Sequence, residues 1–227
     1  MSAPVTIRPI AFLESDLDEK FGVPRQAGIV EALEARIVFE PEYRDPDALR
    51  AIEGFSHLWL LWQFSLALRE GFSPTVRPPR LGGNERVGVF ASRSPFRPNS
   101  LGLSCVRLLR VEQDPKRGPV LVVGGADLVS GTPIFDIKPY LPYADAKPEA
   151  RSGFAPDPGR TLDVRFEAGV EALIPTEKRA ALRGVLANDP RPRYQDDPER
   201  IYGLRFAGKN VKFRVEGDLL TVTAVEA

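Results

Sequence analysis

The chain has 227 residues, 43% of them hydrophobic, and its 31 lysines and arginines balance 31 aspartates and glutamates. That much apolar side chain excludes global disorder, and zero formal net charge excludes a polyanion-binding surface covering the whole molecule, though not a local basic patch. One cysteine and one histidine exclude an internal disulfide and cannot by themselves build a zinc or cysteine-protease site.

The opening residues, MSAPVTIRPIAFLESDLDEK, lack the basic-then-apolar order of a secretion signal. No apolar run approaches the ~20 residues of a membrane span, so a soluble cytoplasmic protein is expected. The 22 prolines sit between apolar runs and leave room for few long helices. TIRPIAF (6–12) reads as an edge strand and ARIVFE (35–40) as a second. Asp45 and Pro46 suit an N-cap and first turn, predicting a short helix that ends at Gly54. FSHLWLLWQF (55–64) is apolar almost throughout and rich in aromatics, which favours a buried strand over a buried helix, with His57 as a hydrogen-bonded core residue.

RVGVFAS (86–92), LSCVRLLRVE (103–112) and PVLVVGGADLV (119–129) read as further strands, with a turn at DPKRG (114–118). Cys105, inside an apolar run, is expected to pack inertly in the core. PIFDIKPY (133–140) alternates until Pro139 stops it. Closely spaced strands with Gly/Pro turns predict a barrel or sandwich rather than alternating βαβ units.

Residues 144–160 are small, charged and rich in Pro and Gly, and read as a linker. Beyond them LDVRFEAGVEALI runs from a strand into a short helix, Thr176 is expected to cap a helix over 177–187, and three runs within 201–225 form a meander. The chain therefore divides into 1–146, a mainly β unit, a linker at 147–160, and 161–227, a small α+β unit.

Chemistry-bearing residues gather in a few places. From Thr75 to Asn99 the chain carries Arg77, Arg80, Arg86, Arg93 and Arg97 against one acid, Glu85, and no lysine. Arginine suits planar, bidentate or stacking recognition, and the prolines at 78, 79, 95 and 98 stiffen the loops that carry it. Residues 125–145 concentrate Asp127, Asp136, Lys138, Tyr140, Tyr143 and Asp145 near turns, and FGVPRQAG (21–28) offers Arg25 and Gln26. Arg191, Arg193 and Tyr194 stand between prolines, a pattern that suits single-stranded RNA or, equally, a solvated charged loop. No phosphate loop of the GxxxxGK[ST] kind is present, and no strand-GxGxxG-helix unit, so a Rossmann-type cofactor site is not expected.

EKFGVPRQAG, GFSHLWLLWQF, TVRPPRLGGNERVGVFASRSPFRPNSLGLS, DLVSGTPIFDIKPYLPYAD and VLANDPRPRYQ, in this order and spacing, closely resemble the TsaA-like (TrmO) family. The resemblance implies an S-adenosylmethionine-dependent methyltransferase that acts on tRNA, at the exocyclic nitrogen of N6-threonylcarbamoyladenosine (adenosine-37) beside the anticodon. It implies a single-sheeted β-barrel with a small C-terminal α+β domain and a homodimer with the cofactor near the subunit interface; no metal is expected, with one cysteine and one histidine in the chain. Carried over residue by residue, it places cofactor contacts at Pro24, Arg25 and Gln26, at Ser65 and Leu66, at Arg93, at Leu103, and at Asp127, Leu128, Val129 and Ser130. Relatives often carry larger polar residues where Ser65 and Leu66 stand, and an aspartate where Ser130 stands.

On that reading the acceptor nitrogen is a weak nucleophile until its proton is lost, and Asp136 and Tyr140 are the candidate proton acceptors. The threonyl carboxylate would meet Arg77, Arg80 or Arg97, and Asn99, Arg191, Arg193 and Tyr194 would face RNA. The alternatives are a non-catalytic RNA- or nucleotide-binding barrel, and a methyltransferase with a different acceptor.

Overall fold

Alternation with period two decides the architecture. In the computed structural model of the chain, which describes residues 3, 5–157, 159–191 and 197–227, Leu58, Leu60 and Trp62 are buried while His57, Trp59, Leu61 and Gln63 are only partly so. The strand expected there is present. In chain order the N-terminal strands are β1 (Ala11–Ser15), β2 (Glu34–Phe39), β3 (His57–Gln63), β4 (Thr75–Val76), β5 (Val87–Gly88), β6 (Leu101–Asp114), β7 (Gly118–Gly124) and β8 (Thr132–Pro139).

Six of them close into an antiparallel barrel in the order β1-β2-β7-β6-β3-β8. Closure removes the edges that an open sheet would expose. Its core is filled from every strand: Leu13 from β1, Ile37 from β2, Leu58 and Leu60 from β3, Val106 from β6, Leu121 and Val123 from β7, and Ile134 from β8.

Several sequence expectations are corrected. The first strand starts at Ala11, beyond Pro9, which has no N–H to give a ladder. The expected helix from Asp45 is two 3-10 turns, Pro46–Leu49 and Ile52–Gly54. Asp45 does accept from the Asp47 amide at 2.9 Å, but Ala51 enters the left-handed region (φ 69°) and breaks the run. Residues 86–92 hold only the two-residue β5, paired with β4, and a 3-10 turn at Val89–Ala91; the surrounding prolines offer no donors to extend that ladder. Cys105 is not in the core: its neighbours Ser104 and Val106 point inward, so Cys105 faces outward and is half-buried. His57 is likewise half-buried, with Nδ1 2.9 Å from the Ser56 hydroxyl and its ring edge-on to Tyr140.

After α1 (Pro142–Asp145) the described residues 147–157 and 159–160 hold no helix or strand. Then β9 (Asp163–Phe166), α2 (Thr176–Ala187), β10 (Tyr202–Phe206), β11 (Lys209–Glu216) and β12 (Leu219–Glu226) form a second unit. The meander is present, and β9 adds to it parallel to β12, giving the order β10-β11-β12-β9. Pro175 occupies the N-cap position of α2, so Thr176 is the first helical residue and its hydroxyl makes no cap bond. Ala181, Leu182, Val185 and Leu186 of α2 pack on Leu204, Phe206, Val211, Phe213 and Val215. Leu17, Val30 and Leu33, from the connection between β1 and β2, are buried in this same core.

Gly102 of β6 pairs with Trp62 across the ladder, and a Cβ there would come within 2.3 Å of the indole ring. Gly102→Ala must push the ring out of a packed barrel, so a loss of about 1–3 kcal/mol is expected from urea melts.

Candidate active site

Strand register builds the site. Opposed residues of an antiparallel pair share a face. Leu101 pairs with Gln63, Leu103 with Leu61, and Cys105 with Trp59, giving a row of side chains along the outer face of β3 and β6. A cavity of about 880 Å³ lies against this row, within the usual range for cofactor sites. Its other walls are residues 23–27 with Lys20, the turn at Ser65–Ala67, the arginine-rich segment at Ser92, Arg93, Pro95, Phe96 and Arg97, and Asp127, Leu128, Val129 and Thr132.

A short hydrogen-bond chain runs through the wall. The Trp62 indole N–H donates to the Ser104 hydroxyl at 3.0 Å, and that hydroxyl donates to an Asp127 oxygen at 2.6 Å. The order is fixed because an indole N–H can only donate, which leaves the serine proton for the carboxylate. Burial raises the Asp127 pKa above the ordinary carboxylate range, against the opposing pull of Ser104, its own and the Ala27 backbone amides, and the Arg93 charge. Arg93 also reaches across to the Gln26 side-chain oxygen, tying the arginine segment to residues 23–27. Lys20 bonds the Leu66 carbonyl. Burial raises the Cys105 thiol pKa as well, with the Asp145 charge adding to it, so it is a neutral wall residue.

The expected site residues separate into two groups. Pro24, Arg25, Gln26, Ser65, Leu66, Arg93, Leu103, Asp127, Leu128 and Val129 line the cavity together, as does Arg97. Ser130 does not: it accepts from the Ser15 amide at 3.3 Å and donates its own N–H to the Leu17 carbonyl at 2.8 Å, holding the turn to the end of β1. Asp136 and Tyr140 are also outside the lining. Register puts Asp136 beside Leu61, one strand beyond the Leu103–Leu61 row, with its carboxylate 2.8 Å from Lys138 Nζ. The Tyr140 ring leans on Trp59, centroids 5.8 Å apart.

Arg97 Nη1 donates to the carbonyls of Ser92 at 3.0 Å and Ser94 at 3.4 Å, and Arg80 to that of Asp157. Arg77 and Asn99 are exposed and away from the cavity lining. Arg191 is buried on Asp189, at 2.8 and 3.0 Å, a position unlike the exposed RNA contact expected of it. Arg193 and Tyr194 lie outside the described residues. Sequence reasoning missed Trp62 and Ser104; their alternation within β3 and β6 marks them as inward-facing but not as partners of Asp127.

Two family profiles match the chain, the tRNA-methyltransferase O N-terminal domain over residues 12–146 and the TrmO C-terminal domain over residues 159–227. The chain belongs to the TrmO family. Within it, the chain is 44% identical over 226 residues to the tRNA (adenine(37)-N6)-methyltransferase of Escherichia coli, covering 96% of both proteins. It is 40% identical over 208 residues, 88% of each chain, to a Pseudomonas aeruginosa protein that carries the provisional name of an S-adenosylmethionine-dependent methyltransferase. The crystal structure of TrmO from Pseudomonas aeruginosa superposes with a TM-score of 0.83 at 31% identity, covering 99% of both chains. The mainly β barrel with a separate C-terminal domain is thus the TrmO fold.

Asp127 supplies a pH test. Its folded pKa lies above its unfolded one, so across the window between the two the folded chain keeps a proton that the unfolded chain has lost, and stability falls as pH rises through that window. Asp127→Asn should remove that component of the fall, and Ser104→Ala, by deleting a donor to the carboxylate, should move the Asp127 titration to still higher pH. Carboxyl NMR titration, with urea melts from the ordinary aspartate range upward in pH, reads both; an unchanged Asp127 titration in Ser104→Ala would contradict the relay.

Proposed function

We propose that the cavity binds S-adenosylmethionine and that the chain methylates the N6 nitrogen of N6-threonylcarbamoyladenosine at position 37 of tRNA. Asp127 carries this reading: a carboxylate in the wall of a mainly apolar cavity, held by Ser104 and the Ala27 amide beside Arg93, suits a ligand that brings positive charge. The donor set fits. Leu61, Leu103 and Phe64 offer apolar wall, and the Pro24–Ala27 backbone offers polar edges for a nucleoside. Membership of the TrmO family supports the same cofactor and substrate. When bound, S-adenosylmethionine supplies an electrophilic methyl group on a sulfonium.

The task left to the protein is alignment and deprotonation of the acceptor. Proline-stiffened walls hold a fixed geometry at little entropic cost, which is where most of the rate gain of a two-body displacement comes from. Asp136, in the row beyond Leu61, is the group we assign to accept the N6 proton. Tyr140 instead braces the Trp59 ring, which lines the cavity and donates to Asp145 at 3.1 Å. Of the three arginines considered for the threonyl carboxylate, Arg97 alone lines the cavity; its Nη1 serves the loop carbonyls, and Nε and Nη2 are left to meet an anion. Arg77 and Arg80 are assigned to tRNA phosphates, in a cytoplasmic setting where tRNA is met.

Leu66, Leu68, Phe72, Phe90, Phe96 and Leu103 are exposed, and Leu66, Phe96 and Leu103 among them line the cavity. We assign them to a second copy of the chain in a homodimer that covers the cavity edge. Sedimentation should show a dimer that Leu103→Glu dissociates; a monomeric wild type would contradict this.

The decisive assay is methyl transfer to tRNA with and without threonylcarbamoylation. Wild type should methylate only the modified tRNA. Arg97→Ala should weaken binding of modified tRNA by about 1.5–3 kcal/mol and leave unmodified tRNA unaffected. Asp136→Asn should slow single-turnover methylation about 100-fold or more, while Tyr140→Phe should not. Equal loss on both tRNAs would reassign Arg97 to phosphate, and donor binding without methylation would favour a binding protein.

A further inference from the structure

The cavity residues Pro24 to Ala27 belong by sequence to the barrel unit, but the segment that carries them is packed into the C-terminal core. Leu17, Val30 and Leu33 are buried there, and Phe21, Val23 and Ile29 pack against it. Phe21 stacks on Phe213 of β11 with centroids 6.4 Å apart and planes 16° apart, and Phe213 stacks in turn on Tyr202. Gly22, at φ 91°, lies so close to Leu204 of β10 that no Cβ could be added without moving that side chain. Gly184 gives α2 a matching bare surface, where a Cβ would meet Val30 Cγ1 at 2.6 Å. Polar ties accompany these: the Ala207 amide donates to the Asp16 carbonyl at 2.8 Å, and Lys178 Nζ lies 2.6 Å from a mostly buried Asp16 carboxylate.

The C-terminal anchors flank the cavity residues, Phe21 and Gly22 on one side and Ile29 and Val30 on the other. Residues 23–27 between them include Pro24 and cannot drift far while both anchors hold. On the barrel side the same stretch meets Gly125 through the Gly28 amide at 2.8 Å, and Arg93 through Gln26. The stretch is thus held between the C-terminal core and polar contacts with the barrel wall.

We propose that the C-terminal domain is a positioning element of the donor site: Leu204 and Phe213, neither of which lines the cavity, set where Pro24, Arg25 and Gln26 stand against Arg93 and Asp127. This rests on reading the cavity as the S-adenosylmethionine site. It gives the second domain a role in donor affinity that is separate from any contact with RNA.

The test compares three substitutions in the full chain. Phe213→Leu keeps apolar bulk but removes the ring stack, and Leu204→Ala opens space beside Gly22. Val164→Ala trims the same core on β9, the opposite edge of the sheet from β10. All three should lower the melting temperature. Only Phe213→Leu and Leu204→Ala should raise the calorimetric Kd for S-adenosylhomocysteine and the KM for S-adenosylmethionine, by about tenfold, with kcat at saturating donor and the KM for tRNA held near wild type. If both bind S-adenosylhomocysteine as tightly as Val164→Ala does, the C-terminal domain is a passive neighbour and the proposal falls. If wild type itself binds no S-adenosylhomocysteine, the reading of the cavity falls first and the proposal with it.

Discussion

One connection leaves the barrel to bury itself in the hydrophobic core of the second domain. The residues between β1 and β2 leave the barrel at Ser15, contribute Leu17, Val30 and Leu33 to the C-terminal core, and return at Glu34. Burying that apolar surface is favourable only if both domains stand where they do, at roughly 25 cal/mol per Å² of apolar area removed from water. The polar stretch that cannot be buried, around Arg25 and Gln26, is left facing the cavity. The position of the site therefore follows from packing elsewhere.

The second constraint is electrostatic. A carboxylate withdrawn from water is disfavoured in its charged form unless hydrogen bonds and nearby cations answer it. Asp127 is answered in part, by Ser104, by backbone amides and by Arg93, and burial still prevails in the net direction of its pKa. The indole of Trp62 fixes the serine proton, and Gly102 makes room for the indole. Three residues of the barrel wall thus serve one side chain of the cavity.

Much of the barrel was legible in the sequence because a strand with one face buried writes its period into the chain. β3 and the C-terminal meander are such cases, and the absence of a glycine-rich strand-to-helix turn correctly argued against a Rossmann site. What pattern could not give was phase and partnership. LSCVRLL is apolar on both faces, so composition placed Cys105 inside when register puts it outside, on the cavity wall. RVGVFAS has strand composition, but between prolines it finds only a two-residue partner. The chain from Trp62 to Ser104 to Asp127 joins residues 42 and 23 positions apart, and no local signal announces it. The expected cofactor contacts came from whole motifs shared with a family; ten of those residues line one cavity, while Ser130, a departure from the family pattern, braces a turn.

A crystal structure with S-adenosylhomocysteine is the most direct measurement of the central claim, that this cavity is the donor site. The expected density lies between residues 24–27, Arg93 and the outer face of β3 and β6, with a positively charged or hydroxyl group of the ligand on Asp127. Density elsewhere on the chain, or a cavity still filled by solvent at saturating ligand, would contradict it.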